Sequence, residues 1–323
     1  MQTGYDRAMS QIDRVLRSHL KLRHLQLLVA LDEFRHLGRA AEFLALTQPA
    51  VSKSLAEIER MFGLGLFVRS TRGTEPTAVG STVVRFARSV LSDFSRTRDE
   101  IEAVASGTGG GTRVGAMVVA IPGLLARAVA LLKARSSETT VLIEEGDLAR
   151  LLPRLRVGEL DLCVGRLEPG YAAPDLATET LFDEPMSIIA RPDHELVGRT
   201  KLQWAALAAQ PWVVTPPWAS SRIKLNQMFY RRKLDPPVDV IESASFLVTL
   251  TFVRSRRALG FVARSVARHL EREGLAKTLD VKVPIELPPV GIITLRNRVN
   301  TPACEQLVEC LRKAAQMIDK PGW

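Results

Sequence analysis

The sequence predicts a multidomain chain: an N-terminal all-α winged helix-turn-helix, a long linker helix, and a C-terminal α/β domain of two lobes. Three observations carry this reading. Residues 22–76 hold three short helical patterns followed by a basic, β-prone hairpin. Residues 77–105 contain no proline and one glycine, with an apolar seam running through them. Beyond residue 113, β-prone runs alternate with helical ones. At 323 residues the chain has room for two or three domains, each with its own core.

In the first segment, LRHLQLLVALDEF (22–34) places Leu22, Leu25, Leu28 and Val29 on one face at steps of three and four, with Leu31 beside them. A break is expected at Gly38. RAAEFLAL (39–46) then reads as a second helix whose small Ala40 and Ala41 admit a close neighbour. The third helix starts within LTQPAVSKSLAEI: Val51, Leu55, Ile58 and Phe62 form its buried stripe, and Gly63 ends it. Thr47 is a good N-cap, and Pro49 falls where helix N–H groups have no intrahelical partner. A tight join between the second and third helices is the helix-turn-helix pattern. LFVRSTRGTEP (66–76), with Arg69 and Arg72 flanking a turn, suits a two-stranded wing.

From Thr77 onward Val79, Val83, Phe86, Val90, Phe94, Ile101 and Val104 make the seam of a helix of ~28 residues, about 42 Å long. That is longer than a small domain needs, so the seam is expected to pack on a second chain. SGTGGGT (106–112) follows as a flexible hinge. The remaining strands and helices argue for a parallel sheet with crossover helices in each of two lobes, with a ligand cleft between them. The expected boundaries are an extension (1–20), the winged helix-turn-helix (21–76), the linker or dimerisation helix (77–106), the hinge (107–112) and the two-lobed domain (113–323). Lobe 1 takes about 113–183 and 289–323, and lobe 2 about 184–288.

Charge and cysteine content exclude more than they identify. The net charge is +9, but residues 1–76 carry 11 basic and 8 acidic side chains, so only +3 of it lies near the helix-turn-helix. Cys163, Cys304 and Cys310 lack the spacing of a zinc or redox site, and their odd number suits a reducing compartment. No continuous apolar run of secretory or membrane-spanning type is present, so a cytoplasmic protein is expected, with no metal and no cofactor. Neither His194 nor His269 sits in a nucleophile or metal motif, which argues against an enzyme.

On the third helix, Gln48, Ser52 and Lys53 project away from Val51 and Leu55. Gln reads adenine bidentately, Ser bonds to phosphate or base edges, and Lys reaches guanine or phosphate. A capped amphipathic helix whose polar face merely meets water would show the same pattern. The wing and the long helix, following in one order, are what a solvated face does not explain.

HLGRAAEFLALTQPAVSKSLAEIERMFGLGLFVRSTRGTEPTAVG resembles the DNA-binding segment of LysR-type transcriptional regulators. The resemblance continues over nearly the whole chain, leaving only the residues before about Leu20 unexplained. It implies a winged helix-turn-helix dimer, commonly assembled into a tetramer, that alters its DNA bending or spacing when a small organic effector enters a type 2 periplasmic-binding-protein-like domain. The implied partners are a promoter dyad of double-stranded DNA, the effector, further copies of the chain, and RNA polymerase, with no membrane. By position Thr47, Gln48, Pro49, Ser52 and Lys53 match the groove-reading residues, and Arg69 and Arg72 the wing contacts. GELDLCVGRL and PWVVTPPWASSR resemble a subgroup whose members often regulate catabolism of aromatic acids or sugars, so a catabolic operon is the expected target.

Family members often carry Ser or Thr just after the first strand of the effector domain. Here AMVVAIPGLL puts Met117 and Val119 at those positions, a departure that disfavours simple carboxylate capture. Polar candidates on the other lobe are Thr215, Ser220, Ser221 and Arg222 after a strand, then Ser243 and Ser245 opening a helix. Trp218 and Phe246 are candidates for aromatic packing, and Arg166 is a further candidate on the first lobe. Each has a bland alternative: Ser243 as a plain helix cap, Arg222 as a surface charge, Met117 as core, and Arg166 in a salt bridge.

Overall fold

The computed structural model describes residues 11–70, 73–106 and 109–318. The chain divides into two compact units, residues 1–106 with the short stretch 156–159, and residues 107–155 with 160–323. The first unit contains α1 (Leu22–Phe34), α2 (Leu37–Phe43), α3 (Gln48–Phe62), the hairpin β1 (Phe67–Ser70) and β2 (Gly73–Pro76), and α4 (Ala78–Ser106). Val51, Leu55, Ile58 and Phe62 of α3 are all buried, in one cluster with Leu27, Leu28 and Leu31 of α1 and Ala40 and Ala41 of α2. Leu22, read as part of the apolar face of α1, is exposed.

Helix α2 starts two residues earlier than its pattern suggests and ends three earlier, so Gly38 lies inside it rather than breaking it. The cause is His36, whose Nδ1 accepts from the N–H groups of Gly38 and Arg39. An imidazole here does what Ser, Thr, Asp or Asn usually does at a helix start. Helix α4 begins against the wing. Thr77 Oγ1 accepts from Gly80 N and donates to Gly65 O, both at 2.9 Å. A Cβ on Gly80 would lie 1.8 Å from the Leu66 carbonyl oxygen, so no other residue fits without moving backbone. In the seam Val83 turns into its own domain with Val84, whereas Phe94 is 53% and Val104 85% exposed.

Residues 11–20, which the family resemblance leaves unexplained, pack on the first unit. Val15 joins the core cluster, and Gln11 Nε2 donates to Met61 O near the end of α3. Residues 1–10 and Arg72 lie outside the described residues.

The second unit has two five-stranded sheets. Sheet one runs β4 (Thr140–Glu145), β3 (Gly111–Ala116), β5 (Leu162–Arg166), β12 (Val290–Leu295), β6 (Leu176–Phe182). Sheet two runs β11 (Lys277–Thr278), β7 (Met186–Ala190), β10 (Leu259–Ala263), β8 (Trp212–Val214), β9 (Val240–Glu242). Neither is the all-parallel sheet expected: β12 is antiparallel to β5 and β6, and β7 to β10 and β11. These two strands are the ones that arrive from the other lobe. Val290, the first residue of β12, pairs with Arg166, the last of β5, and Met186, the first of β7, pairs with Ala263, the last of β10. A strand entering from the interlobe side must run opposite to strands that finish there.

The helices of this unit are α5 (Ala126–Arg135), α6 (Leu148–Arg156), α7 (Trp204–Ala208), α8 (Ser220–Arg231), α9 (Phe246–Ser255), α10 (Arg264–Arg272) and α11 (Pro302–Ala315). Strand β3 stops at Ala116, and the chain then passes through a 3-10 turn, Val118–Ala120. One core joins β3, β5 and β12 to α5, α10 and α11, so α10 of lobe 2 is packed into the core of lobe 1.

Candidate nucleic-acid interface and effector cleft

At the start of α3, Thr47 Oγ1 accepts from Ala50 N at 3.4 Å, and Pro49 occupies the first turn. Thr47, Gln48, Pro49 and Lys53 are exposed and Ser52 is half-buried, on the side opposite the buried stripe. Three hydrogen bonds, through two side chains, fix the wing to this helix. Glu59 Oε1 accepts from Leu66 N at 2.8 Å and Phe67 N at 3.1 Å, and Arg69 Nη2 donates to Ser52 Oγ at 3.0 Å. Of the predicted interface residues the structure therefore brings Ser52 and Arg69 into contact and gathers Thr47, Gln48, Pro49 and Lys53 at the exposed start of the same helix. Glu59 was not singled out from sequence, because an acidic residue near the end of a helix gives no local sign that it will receive backbone donors seven and eight residues later.

The effector-domain candidates fare differently. Met117 lies over β5: a Cβ on Gly165 would come within 2.5 Å of its Cγ and Sδ. Val119 is core, because the turn after Ala116 points its side chain inward; its carbonyl accepts from Ser265 Oγ at 3.4 Å. Arg166 is 5% exposed, and among the described residues it is not in the salt bridge considered as its alternative. It donates to Pro288 O and Glu184 O at 2.8 Å each, and its Nη2 also meets Met186 Sδ. One guanidinium from lobe 1 thus holds both chain crossings. Burial lowers its pKa, against the opposing pull of Glu184 and Glu168. Burial raises the Glu184 carboxyl, whose Oε1 accepts from Ser265 N at 3.0 Å.

On lobe 2, Thr215 and Ser221 share a hydroxyl hydrogen bond of 2.9 Å. Arg222 is buried rather than a surface charge, with Nε on Asn226 Oδ1 at 3.1 Å and Nη2 3.6 Å from Glu242. Ser245 Oγ accepts from Val248 N as the helix N-cap, and Ser243 Oγ accepts from Ser245 N in the turn just before it. Phe246 packs against the core, while Trp218, read as packing aromatic, is 76% exposed in the loop before α8. Ser220 Oγ donates to Glu168 Oε1 at 2.6 Å, joining the lobes. Glu168 was missed: it lies past the end of β5 in a stretch with no motif.

All three cysteines are buried. Burial, with the nearby Glu144 charge, pushes the Cys163 thiol up to about 12, far from the range of a nucleophile. His194 is also buried, and its Nδ1 accepts from Leu196 N. Among the described residues no His, Cys, Asp and Glu group is arranged to hold a metal ion, and no helix is long and apolar enough to cross a membrane.

A capped helix with an exposed polar start and a wing, together with two α/β lobes joined by crossing strands, define a DNA-binding regulator with a ligand-binding module. Comparison with known proteins makes the class specific. The model described as bacterial regulatory helix-turn-helix protein, lysR family, matches residues 22–81, and that of the LysR substrate binding domain matches residues 105–316. The regulator GbpR of Azospirillum brasilense is 31% identical over 93% of this chain and 88% of its own. GalR of Pseudomonas putida is 30% identical over 90% of this chain and 73% of its own. The solved LysR family regulator CbnR has the same fold, with a TM-score of 0.68, 19% identity, and coverage of 92% of this chain and 99% of that one; it has also been solved with its target DNA. The chain belongs to the LysR family of transcriptional regulators, DNA-binding proteins with an effector-binding domain.

Proposed function

We propose that α3 enters the major groove with Gln48, Ser52 and Lys53 toward base edges and phosphates, while Thr47 and Pro49 set the angle of its first turn. Arg69 and Arg72 reach the flanking backbone from the wing. The observation that carries this reading is the double tie of wing to helix through Glu59 and Arg69, which presents both as one rigid surface. The exposed seam of α4, with Phe86, Phe94, Ile101 and Val104, supports a homodimer through that helix, assembled further into a tetramer. A small organic effector binds between the lobes near Met117, Thr215 and Ser220, with no turnover and no cofactor. It thereby changes promoter occupancy in the cytoplasm, at a catabolic operon, where RNA polymerase is the downstream partner.

Footprinting the purified protein on the intergenic DNA beside its own gene tests the reading. A protected dyad whose affinity falls steeply with salt is expected, since phosphate contacts release counterions. Effector binding without any preferred DNA site would instead make the chain a small-molecule binding protein.

A further inference from the structure

Glu168 follows β5 in lobe 1, and Ser220 opens α8 in lobe 2. The 2.6 Å bond between them takes a hydroxyl from one lobe to a carboxylate on the other. An ionised carboxylate can only accept. Of the two arginines nearest in sequence to this pair, Arg166 is committed to the carbonyls of the chain crossings. Arg222 holds Asn226 and Glu242 through Nε and Nη2 and keeps a buried Nη1 with no hydrogen-bond partner among the described residues, a donor that an effector hydroxyl can also meet. On lobe 1 Met117 offers a thioether where a hydroxyl would hold an anion, and on lobe 2 the half-buried Thr215 and Ser221 offer hydroxyls that, among the described residues, bond to each other.

On the reading that this cleft is the effector site, we propose that Glu168 is its specificity-determining residue: its carboxylate holds Ser220 when no effector is bound and exchanges that hydroxyl for one of the effector's. The cleft therefore accepts uncharged, polyhydroxylated molecules and rejects carboxylates, which would bring a second negative charge against an acceptor. Ser220 is then a competitor of the effector rather than one of its ligands, so removing either partner of the bond has opposite consequences.

The test uses the full-length protein and thermal-shift titration with monosaccharides, alditols, cyclitols and nucleosides, set against aliphatic and aromatic carboxylates and diamines. At least one hydroxylated compound should stabilise the protein. Glu168→Ala should weaken that compound about tenfold or more, the loss expected for one hydrogen bond to a charged group. Ser220→Ala should tighten it several-fold, and Glu168→Gln should admit carboxylates. Hydrogen exchange without any added compound should speed up over residues 215–222 in Ser220→Ala and Glu168→Ala alike, with no further increase in the double variant.

Stabilisation only by carboxylates or diamines, by no hydroxylated compound, or a loss of affinity in Ser220→Ala would overturn the proposal, as would unchanged exchange. A carboxylate ligand weakened by Thr215→Val leaves the cleft as the effector site and removes only its selectivity. A hydroxylated ligand indifferent to Glu168→Ala, Ser220→Ala and Thr215→Val removes the cleft itself.

Discussion

The start of α3 and the cleft of the two-lobed domain use similar side chains in opposite ways. On α3 the polar residues are held out by a buried stripe directly beneath them, and Gln48 and Lys53 are left exposed. In the cleft nearly every polar candidate is already engaged: Thr215 with Ser221, Ser220 with Glu168, Ser243 with the backbone of Ser245, Ser245 as a helix cap, and Arg166 on the two chain crossings. A surface that meets a large polyanion needs only exposure and a rigid base. A cleft that must choose between small molecules keeps its polar groups satisfied until the ligand replaces a partner, because an unpaired buried polar group costs about 1–3 kcal/mol.

The rigid base can be broken at one atom. Gly80→Val would push a side chain into the Leu66 carbonyl, 1.8 Å from the new Cβ, and should destabilise the first unit by about 3 kcal/mol or more. Calorimetry should show its transition falling while that of the effector domain stays in place; a shared fall of both would mean the two units unfold together. On the cleft side, Arg166→Met leaves Glu184 O and Pro288 O without their donor and should cost about 2–3 kcal/mol by urea denaturation. An unchanged midpoint would show that the clamp contributes nothing.

Gln48→Ala tests whether exposure on α3 means readout. It should relax preference at one base pair by about 1–3 kcal/mol in competition binding, whereas Arg69→Ala should weaken all sequences alike and flatten the salt slope by about one unit. Equal losses on specific and random DNA for Gln48→Ala would turn its exposed position into mere solvation.

The smallest effect expected is in the bidentate pair of Arg312 with Glu179, with two contacts of 2.8 Å. The hydrogen bond from Arg312 lowers the Glu179 carboxyl below its ordinary value. Its contribution is therefore present above the ordinary carboxylate range and is lost as pH falls through the lowered value. Both groups are well exposed, at 51% and 40%, so solvent screening limits the effect to a few tenths of a kcal/mol. Urea midpoints of the wild type and Glu179→Gln should differ slightly at neutral pH and converge in acid.

Local pattern was enough for the elements that carry the DNA-facing residues. Steps of three and four, an N-cap at Thr47 and a left-handed Gly63 with φ of 66° place α1 and α3 to the residue, because these signals act within a few positions. Where a side chain from a less usual class supplied the cap, as His36 does, the pattern misplaced α2 by two residues at its start. In the effector domain the same reasoning found most strands and helices but could not see the reversal of β7 and β12. Strand direction follows from which lobe the chain has just left, and no alternation of apolar residues records that.

By itself, then, the sequence determined the winged helix-turn-helix, the long helix with its apolar seam and the succession of strands and helices, since each rests on contacts close along the chain. Tertiary structure alone decided that Arg166 holds the crossings, that Val119 is core, and that Glu168 meets Ser220 from 52 residues away. Those outcomes depend on how two lobes close on each other, and a partner that distant in sequence leaves no periodicity by which to find it.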